Sequence, residues 1–438
     1  MSSTNEQLGV AEIAQIPASE KNARRRKLST AVALGFSALL LSATTPEVSP
    51  EPAHAAMAPA VISEGAASSG NETAQALPHF GYDTNQVWVT DASQALAEAK
   101  AVAQTGADTI RILTPYSAGG AEVNTDLDRY CNSLVATQEY GLHLEIGFDG
   151  HFKQDSKNPS TKTKRKSSWG YFPQRASEMQ KLHSLLFSLM SNMAGGTCLD
   201  QNGNPIKATE FNLDFNEPNY KQRYKEPDMA RNLANLLLYE APLLRQDAQK
   251  LGIKLDLTAA AVTLSEPNDP IDFIQDFNQD IQSQLPAGEP LPFDSFALND
   301  YAFGQFTADN LNTASPTISI DKAVSLLRSD FGQDLPINIS ELGAFSGTPT
   351  SKENLYAMKV PATVKTFDGK KQGQFYESVI DEAACLGLDG VNIFHKEDDP
   401  YDDLRTGTNY PNGEPKPSSA IVLRALRKLS EGEVNCNK

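Results

Sequence analysis

Two glutamates in this chain close short strand-like segments, where carboxyl groups are well placed for acid–base chemistry. Glu217 closes the stretch FNLDFNEP over residues 211–218, and Glu341 lies near the end of LPINISELG over residues 335–343. Hydrolysis of a glycosidic bond needs one carboxyl group to protonate the leaving oxygen and a second to attack the anomeric carbon or activate water. The sequence therefore indicates Glu217 and Glu341 as a candidate catalytic pair.

Strand and helix patterns alternate from residue 79 onwards. The predicted strands are Phe80–Val89, Thr109–Leu113, Leu142–Phe148, Glu210–Phe215, Lys254–Val262, Asp294–Leu298, Pro336–Ser340 and Gly390–Phe394. The helices predicted to follow them are Ala92–Gln104, Asp126–Tyr140, Pro173–Met193, Asp228–Leu251, Pro270–Ser283, Ile320–Phe331, Gln372–Leu386 and Ser418–Leu429. This alternation implies a parallel sheet, and eight units predict an α/β fold of the closed (β/α)8 TIM-barrel type. A doubly wound sheet is disfavoured, because no glycine-rich G-x-G-x-x-G turn follows the first strand.

Extra chain is concentrated after three of the predicted strands, in residues 149–172, 342–371 and 395–417. In a barrel, the loops that follow strands form the catalytic face. We therefore expect a barrel with elaborated βα loops, as a large substrate cleft would need. Glu217 ends the fourth predicted strand and Glu341 the seventh, so both glutamates should lie on this face, opposite each other across the barrel mouth.

The N-terminal segment has the pattern of an export signal. A basic cluster at residues 24–27 precedes an apolar stretch over 28–43, and Ala53-His54-Ala55 offers small residues at the spacing of a cleavage site. We predict a signal peptide over 1–55, a flexible linker over 56–77 rich in Ala, Ser, Glu and Pro, and a barrel domain over 78–438. The expected location is secreted or extracytoplasmic. An uncleaved N-terminal anchor and an internal true start remain alternatives.

Charge and cysteine content limit the possible partners. The chain has 38 Lys and Arg against 55 Asp and Glu, a net charge of −17 at pH 7, which disfavours a nucleic-acid binder. None of the four cysteines forms a C-x-x-C pair, and no histidine stands at a zinc-like offset, so we expect no metal and no cofactor. The even cysteine count permits one or two disulfides, with three possible full pairings, and buried free thiols are the alternative. No partner protein is implied.

The glutamate motifs resemble the signature of the clan of retaining β-glycosidases with TIM barrels, which includes the cellulase-like enzymes. That signature is Asn-Glu on the fourth strand and Glu on the seventh, and the resemblance covers about residues 78–430. It implies that Glu217 is the acid/base, that Glu341 is the nucleophile and that Asn216 hydrogen-bonds the 2-hydroxyl of the sugar. The resemblance also implies a carbohydrate substrate.

Three further residues match clan positions on other strands. Arg111, in the predicted second strand, resembles the arginine that orients the nucleophile, and a buried arginine needs such a carboxylate partner. Tyr301 resembles the tyrosine that hydrogen-bonds the nucleophile. Asn299 is a departure, because cellulase-like members often have His-x-Tyr at this position. All three are expected to contribute to substrate binding around Glu341.

Other candidate substrate-binding residues stand where the clan pattern is broken or in a loop. The predicted eighth strand ends in Phe394 and His395, whereas the clan often has a tryptophan there. Asp149 follows the third strand, near a position that often carries histidine. Trp169 lies in a loop with local excess of positive charge and is a candidate for stacking on a sugar ring. Glu145, inside the third strand, is expected to point into the barrel and to have a structural role.

These features together predict a secreted retaining glycoside hydrolase that cleaves β-glycosidic bonds of a poly- or oligosaccharide by double displacement. A transglycosylase that remodels an envelope polysaccharide would use the same residues. A non-catalytic barrel that binds polysaccharide is the third alternative, and it would tolerate a misplaced carboxylate.

Overall fold

The computed structural model describes residues 78–84, 87–115, 123–149, 172–219, 228–264, 269–302, 318–344, 369–398, 406–410, 413–434 and 436. The strands in this part of the chain are β1 (His79–Asp83), β2 (Thr109–Pro115), β3 (His143–Asp149), β4 (Cys198–Leu199), β5 (Pro205–Ile206), β6 (Glu210–Asn216), β7 (Lys254–Thr263), β8 (Ser295–Ala302), β9 (Ile337–Ala344) and β10 (Gly390–Phe394). The helices are α1 (Ala92–Ala103), α2 (Val123–Glu139), α3 (Ala176–Gly195), α4 (Met229–Leu251), α5 (Pro270–Gln284), α6 (Ile320–Phe331), α7 (Gly369–Leu386) and α8 (Pro417–Ser430).

Eight of the strands form a closed parallel barrel. Its order is β1, β2, β3, β6, β7, β8, β9 and β10, and β10 pairs back with β1. In the part of the chain that the structure describes, each barrel strand is followed by one helix before the next barrel strand begins. The predicted (β/α)8 barrel is therefore confirmed. The three long connections predicted from the sequence leave the carboxyl ends of β3, β9 and β10, although much of their length lies outside the described residues.

Two details differ from the sequence prediction. The first strand ends at Asp83 rather than Val89, because the apolar residues Val87 and Trp88 join the core from a bend and not from an extended strand. In addition, β4 and β5 form a small antiparallel hairpin ahead of β6. Strands of two residues are too short to give an alternating pattern, so this hairpin could not be recognised in the sequence.

The apolar core lies outside the sheet, against the surrounding helices. On β2, Ile110 and Ile112 are fully buried in one cluster with helical residues such as Leu96 and Val102. Because successive side chains on a strand point to opposite faces, Arg111 between the two isoleucines points into the barrel. The same alternation on the other strands separates an apolar outer face from the barrel interior.

The barrel interior is unusually polar. Barrels of this type are mostly filled by layers of Val, Ile and Leu. Here the first inward positions of the strands surround a cavity of about 290 Å3 at the amino-terminal end of the barrel. Its polar lining includes His79, His143, Glu145, Asn212, Asp256, Asn338 and Asn392. The Asn392 amide donates to Glu145 over 2.8 Å, which gives the carboxyl the structural partner expected for it.

Local signals define several helix ends. The Asp91 carboxylate caps α1 by accepting from the backbone N–H groups of Ser93 and Gln94. Gly196 and Gly252 end α3 and α4 in the left-handed conformation, which glycine adopts without steric cost. Among the helices described, none is long and apolar enough to cross a membrane.

All four cysteines form disulfides, so the alternative of buried free thiols is wrong. Cys131 in α2 pairs with Cys198 in β4, and Cys385 in α7 pairs with Cys436 near the C-terminus. The bonds join residues 67 and 51 positions apart. On a chain-entropy model, closing loops of this length stabilises the folded state by about 4 kcal/mol per bond. The first disulfide anchors the β4–β5 hairpin to the helical layer.

Candidate active site

Glu217 lies immediately after β6, at the carboxyl end of the barrel. Its backbone has φ of 45°, in the left-handed region that residues other than glycine rarely adopt, and it precedes Pro218. The Glu217 N–H donates to the carbonyl of Ala261 on β7 over 2.8 Å, which holds this turn against the neighbouring strand. Strained backbone of this kind is concentrated at functional sites, and here it turns the buried Glu217 side chain into position.

The Glu217 carboxylate is oriented by groups on the next two barrel strands. The Thr263 hydroxyl on β7 donates to its Oε1 over 2.7 Å, and the Asn299 amide on β8 donates to the same oxygen over 3.4 Å. Asn219 fixes Thr263 in turn, because its amide exchanges two hydrogen bonds with the Thr263 backbone, at 2.8 and 2.9 Å. Neither Thr263 nor Asn219 was selected from the sequence. Asn219 directly follows the Asn-Glu-Pro motif of residues 216–218, but that motif does not predict its contact with Thr263.

Glu341 lies inside β9 and has the two partners expected for it. Nη1 of Arg111 donates to its Oε1 over 2.8 Å, and the Tyr301 hydroxyl makes a short hydrogen bond to its Oε2. Only 2% of Glu341 is exposed. Burial raises the pKa of Glu341 to about 7, an effect that the nearby Arg111 opposes and the charge of Glu217 reinforces.

A chain of hydrogen bonds joins the two glutamates. The side-chain oxygen of Asn216 accepts from Nη2 of Arg111 over 3.1 Å and from the Asn299 amide over 3.2 Å. Arg111 contacts Glu341 and Asn299 contacts Glu217, so Asn216 connects the two halves of the site. The structure thus brings together six of the residues selected from the sequence: Arg111, Asn216, Glu217, Asn299, Tyr301 and Glu341.

Two aspartates that the sequence analysis missed also bind Arg111. Asp214 accepts from Nε over 2.7 Å and from Nη2 over 2.9 Å, and Asp83 accepts from Nη1 over 2.5 Å. Asp214 could have been recognised, because Asn212, Asp214 and Asn216 are the alternating polar positions of one strand. Asp83 was hidden by the overlong prediction for the first strand, which placed it in the middle of that element.

The remaining predicted site residues have different positions. His395 follows β10, and its Nδ1 lies 2.9 Å from the backbone oxygen of Asp83 and 4.0 Å from the Asp83 carboxylate. It therefore adjoins the arginine cluster from the side of β1. Phe394, before it, packs edge-on against Tyr301. Asp149 ends β3, but its side chain and the whole of Trp169 lie outside the described residues.

Searches with the whole chain find similarity in structure and none in sequence. No protein-family model and no curated protein matches. A glucosidase from Croceicoccus marinus superposes with a TM-score of 0.52 at 11% identity, covering 80% of this chain and 66% of that one. A fungal β-1,4-galactanase superposes with a TM-score of 0.51 at 15% identity, covering 80% of this chain and 100% of that one. A GH5_18 protein from Bifidobacterium longum superposes with a TM-score of 0.50 at 15% identity, covering 81% of this chain and 79% of that one.

The chain shares the closed parallel barrel fold with these structures. At these identities the similarity concerns the barrel itself, which the chain shares over about four-fifths of its length. Within the described residues, no group of three or more His, Cys, Asp or Glu side chains has the arrangement of a metal site. Among the described residues, the site at the carboxyl end of the barrel includes four buried carboxyl groups, on Asp83, Asp214, Glu217 and Glu341. One arginine, one tyrosine, one threonine hydroxyl and the amides of Asn216, Asn219 and Asn299 bind to them or to one another.

Proposed function

We propose that this chain is a glycoside hydrolase that cleaves a β-glycosidic bond with retention of configuration. The observation that carries the proposal is the hydrogen-bonded chain that holds Glu217 and Glu341 together at the carboxyl end of the barrel. This is the face on which barrel enzymes hold their active sites. The glucosidase and galactanase among the structural neighbours support the same class of chemistry.

In this proposal Glu341 is the nucleophile. Its carboxylate attacks the anomeric carbon and forms a glycosyl ester, while the bond to the leaving oxygen breaks. Arg111 and Tyr301 each hold one of its oxygens, which fixes the direction of attack and favours the ionised form. Water later cleaves the ester, and Glu341 is released as a carboxylate.

Glu217 handles the proton in both steps. Protonated Glu217 gives its proton to the leaving oxygen, and the resulting carboxylate then takes a proton from the water that attacks the ester. Thr263 and Asn299 keep its carboxyl group in one orientation through both steps. The oxygen of Asn216 is engaged by Arg111 and Asn299, so its amide nitrogen is the group that donates to a sugar hydroxyl.

An activity survey with paired variants tests this proposal. The full chain, Glu217→Gln and Glu341→Gln are assayed against aryl β-glycosides of several sugars and against soluble β-linked polysaccharides. We expect turnover by the wild type and a loss of about 10³-fold or more in each variant, because each removes a group that acts on the reacting atoms. Proton NMR of the first product should show the β-anomer. A fully active variant would refute the assignment of its residue.

Product analysis at high acceptor concentration distinguishes hydrolysis from transfer, since both would use the same glycosyl ester. An inverted first product would exclude retention while leaving glycoside hydrolysis in place. Binding of polysaccharide without turnover, unchanged in both variants, would indicate a binding barrel instead.

We also propose that the protein works outside the cytoplasm. The basic and apolar segments with a small-residue cleavage pattern at the N-terminus support export. The two disulfides support the same conclusion, because such bonds persist in oxidising compartments. Cell fractionation followed by N-terminal sequencing of the mature protein tests this: a start near residue 56 outside the cytoplasm is expected, and a cytoplasmic protein starting at Met1 would contradict it.

A further inference from the structure

Arg111 distributes its hydrogen-bond donors unequally among the groups around it. Nε and Nη2 form a two-point contact with Asp214, at 2.7 and 2.9 Å. Nη1 is shared between Asp83 at 2.5 Å and Glu341 at 2.8 Å. A guanidinium is planar, so a two-point contact with one carboxylate fixes both its plane and its rotation.

The cluster is almost wholly buried. Arg111 and Asp83 are fully buried, Asp214 and Glu341 are at most 5% exposed, and Asp214 also lines the cavity of about 290 Å3 at the amino-terminal end of the barrel. The guanidinium donates its hydrogen bonds to protein groups, so the geometry of the arginine depends on the side chains around it. Nη1 has two N–H donors, one for Asp83 and one for Glu341, so both contacts depend on the direction of Nη1. The two-point contact on the other side of the guanidinium sets that direction.

Gly147 on β3 contacts the guanidinium on the same side as Asp214, the side of Nη2. A Cβ added to Gly147 would lie 2.6 Å from Nη2 and 2.9 Å from Cζ of Arg111, so the absent side chain makes room for the guanidinium. Gly147 is paired in register with Asp214 on β6. The carboxylate that holds the two-point contact and the backbone that supports it are thus neighbours in the sheet.

We propose that Asp214 is a positioning residue for the reaction. Together with the space that Gly147 leaves for the guanidinium, it aligns Arg111 so that Nη1 donates to the nucleophile Glu341. Asp83 contributes charge to the cluster but does not set this alignment. The inference rests on the proposed function, because it assigns Asp214 a role in aligning the catalytic Glu341.

Four variants separate alignment from charge. Asp214→Asn removes the charge and the two-point contact, and Gly147→Ala displaces the guanidinium while keeping every charge. Asp83→Asn removes one carboxylate charge but leaves the Asp214 contact. Glu145→Gln is the matched control, since Glu145 is another interior carboxyl with its own amide partner, Asn392.

The measurements are kcat and KM on an aryl β-glycoside that the wild type hydrolyses, and a crystal structure of each variant. We expect kcat to fall roughly 10- to 100-fold in Asp214→Asn and Gly147→Ala with KM changed less than threefold, because alignment matters most in the transition state. In both crystal structures the contact from Nη1 to Glu341 should be lost. Asp83→Asn should keep that contact and lose less than fivefold in kcat, and Glu145→Gln should stay within twofold of the wild type.

An intact contact between Arg111 and Glu341 in Asp214→Asn, with kcat within twofold of the wild type, would overturn the inference. If Asp214→Asn does not fold, Gly147→Ala decides it by the same two criteria. If the wild type hydrolyses no glycoside, the proposed function fails, and the crystal structures still test the alignment separately: a displaced Arg111 supports the role of Asp214, and an unmoved one refutes it.

Discussion

The two ends of the barrel interior are both polar, yet they are built differently. At the amino-terminal end, polar side chains line a cavity of about 290 Å3, and its rim carries two partly exposed ion pairs, His79 with Asp108 and His143 with Glu210. At the carboxyl end, the side chains around Arg111 are buried and bonded directly to one another. The amino-terminal end thus encloses a cavity, whereas at the carboxyl end the polar side chains contact one another directly.

The difference lies in how many strands converge on one side chain. The hydrogen bond from Asn392 on β10 to Glu145 on β3 also crosses the barrel, but it joins only two strands. The rim pairs join neighbouring strands, as His143 on β3 and Glu210 on β6 do. Arg111 starts on β2 and contacts groups on β1, β6 and β9. Polar residues inside a barrel therefore do not by themselves mark a catalytic site. A catalytic site is marked instead by groups from several strands that converge on shared hydrogen-bond donors, because this holds reactive carboxyl groups in one geometry.

Removal of Arg111 should have the largest effect on the carboxyl end. Arg111→Met leaves Asp83, Asp214 and Glu341 buried without their cation, so we expect a loss of about 3–5 kcal/mol in the free energy of unfolding and loss of activity. Urea denaturation followed by circular dichroism measures the first. Arg231→Met is the control, because Arg231 forms an exposed pair with Asp280 and should matter far less. Equal stability of the two variants would contradict the prediction.

The pH dependence of activity should report the burial of Glu341. The pKa of Glu341 is raised to about 7, chiefly by burial, and the carboxyl group must be ionised to attack. The fraction ionised therefore falls as the pH drops below about 7, and kcat/KM should fall about tenfold per pH unit on the acidic side. A flat profile from pH 5 to pH 8 would contradict the assignment.

Glu145, at the amino-terminal end, should affect stability but not catalysis. Burial raises its pKa to about 7, above the value of about 4.3 in an unfolded chain. Folding therefore favours the protonated form, and ionised Glu145 lowers stability as the pH rises through this window. Glu145→Gln should raise the free energy of unfolding by on the order of 1 kcal/mol at pH 8. At pH 4 it should change that free energy little, because Glu145 is then mostly protonated in both the folded and the unfolded state. Thermal unfolding at the two pH values measures this, and a variant less stable at pH 8 would refute it.

The smallest effect is expected at the rim of the cavity. Glu210 raises the pKa of His143, and His143 lowers the pKa of Glu210. The histidine contributes stability below about pH 6.5 that is lost as the pH rises, and the glutamate contributes stability above about pH 4.3 that is lost as the pH falls. His143→Gln should therefore cost up to about 1 kcal/mol near pH 5.5 and less at pH 8.5, because such exposed pairs are weak. An equal loss at both pH values, seen in melting temperatures, would show that the pair is not electrostatic.

The sequence was sufficient for the fold and for the catalytic candidates. Eight alternating units define the barrel. Glu217 follows β6 as predicted, whereas Glu341 lies in the carboxyl-terminal half of β9, which continues to Ala344 beyond the predicted end at Ser340. The pairing of Arg111 and Tyr301 with Glu341 also followed from the sequence, because a buried arginine needs a carboxylate and the clan pattern supplied the partner.

What could not be predicted depends on register between strands. Asp83, Asp214 and Thr263 act in the site because their inward side chains meet at one height in the barrel, and register is not visible in a single sequence. The cysteine pairing was open for a related reason: Cys198 lies in the β4–β5 hairpin, which has no sequence pattern of its own.

Covalent labelling tests the role of Glu341 most directly. The full chain and Glu341→Gln are incubated with dinitrophenyl 2-deoxy-2-fluoro-β-glycosides of glucose, galactose and mannose, and their peptides are analysed by mass spectrometry. We expect one fluoroglycosyl group on the wild-type peptide that contains Glu341, and none on the variant. A label on another residue, or an unlabelled wild type that hydrolyses the matching unfluorinated glycoside with inversion, would contradict the assignment of Glu341 as the nucleophile.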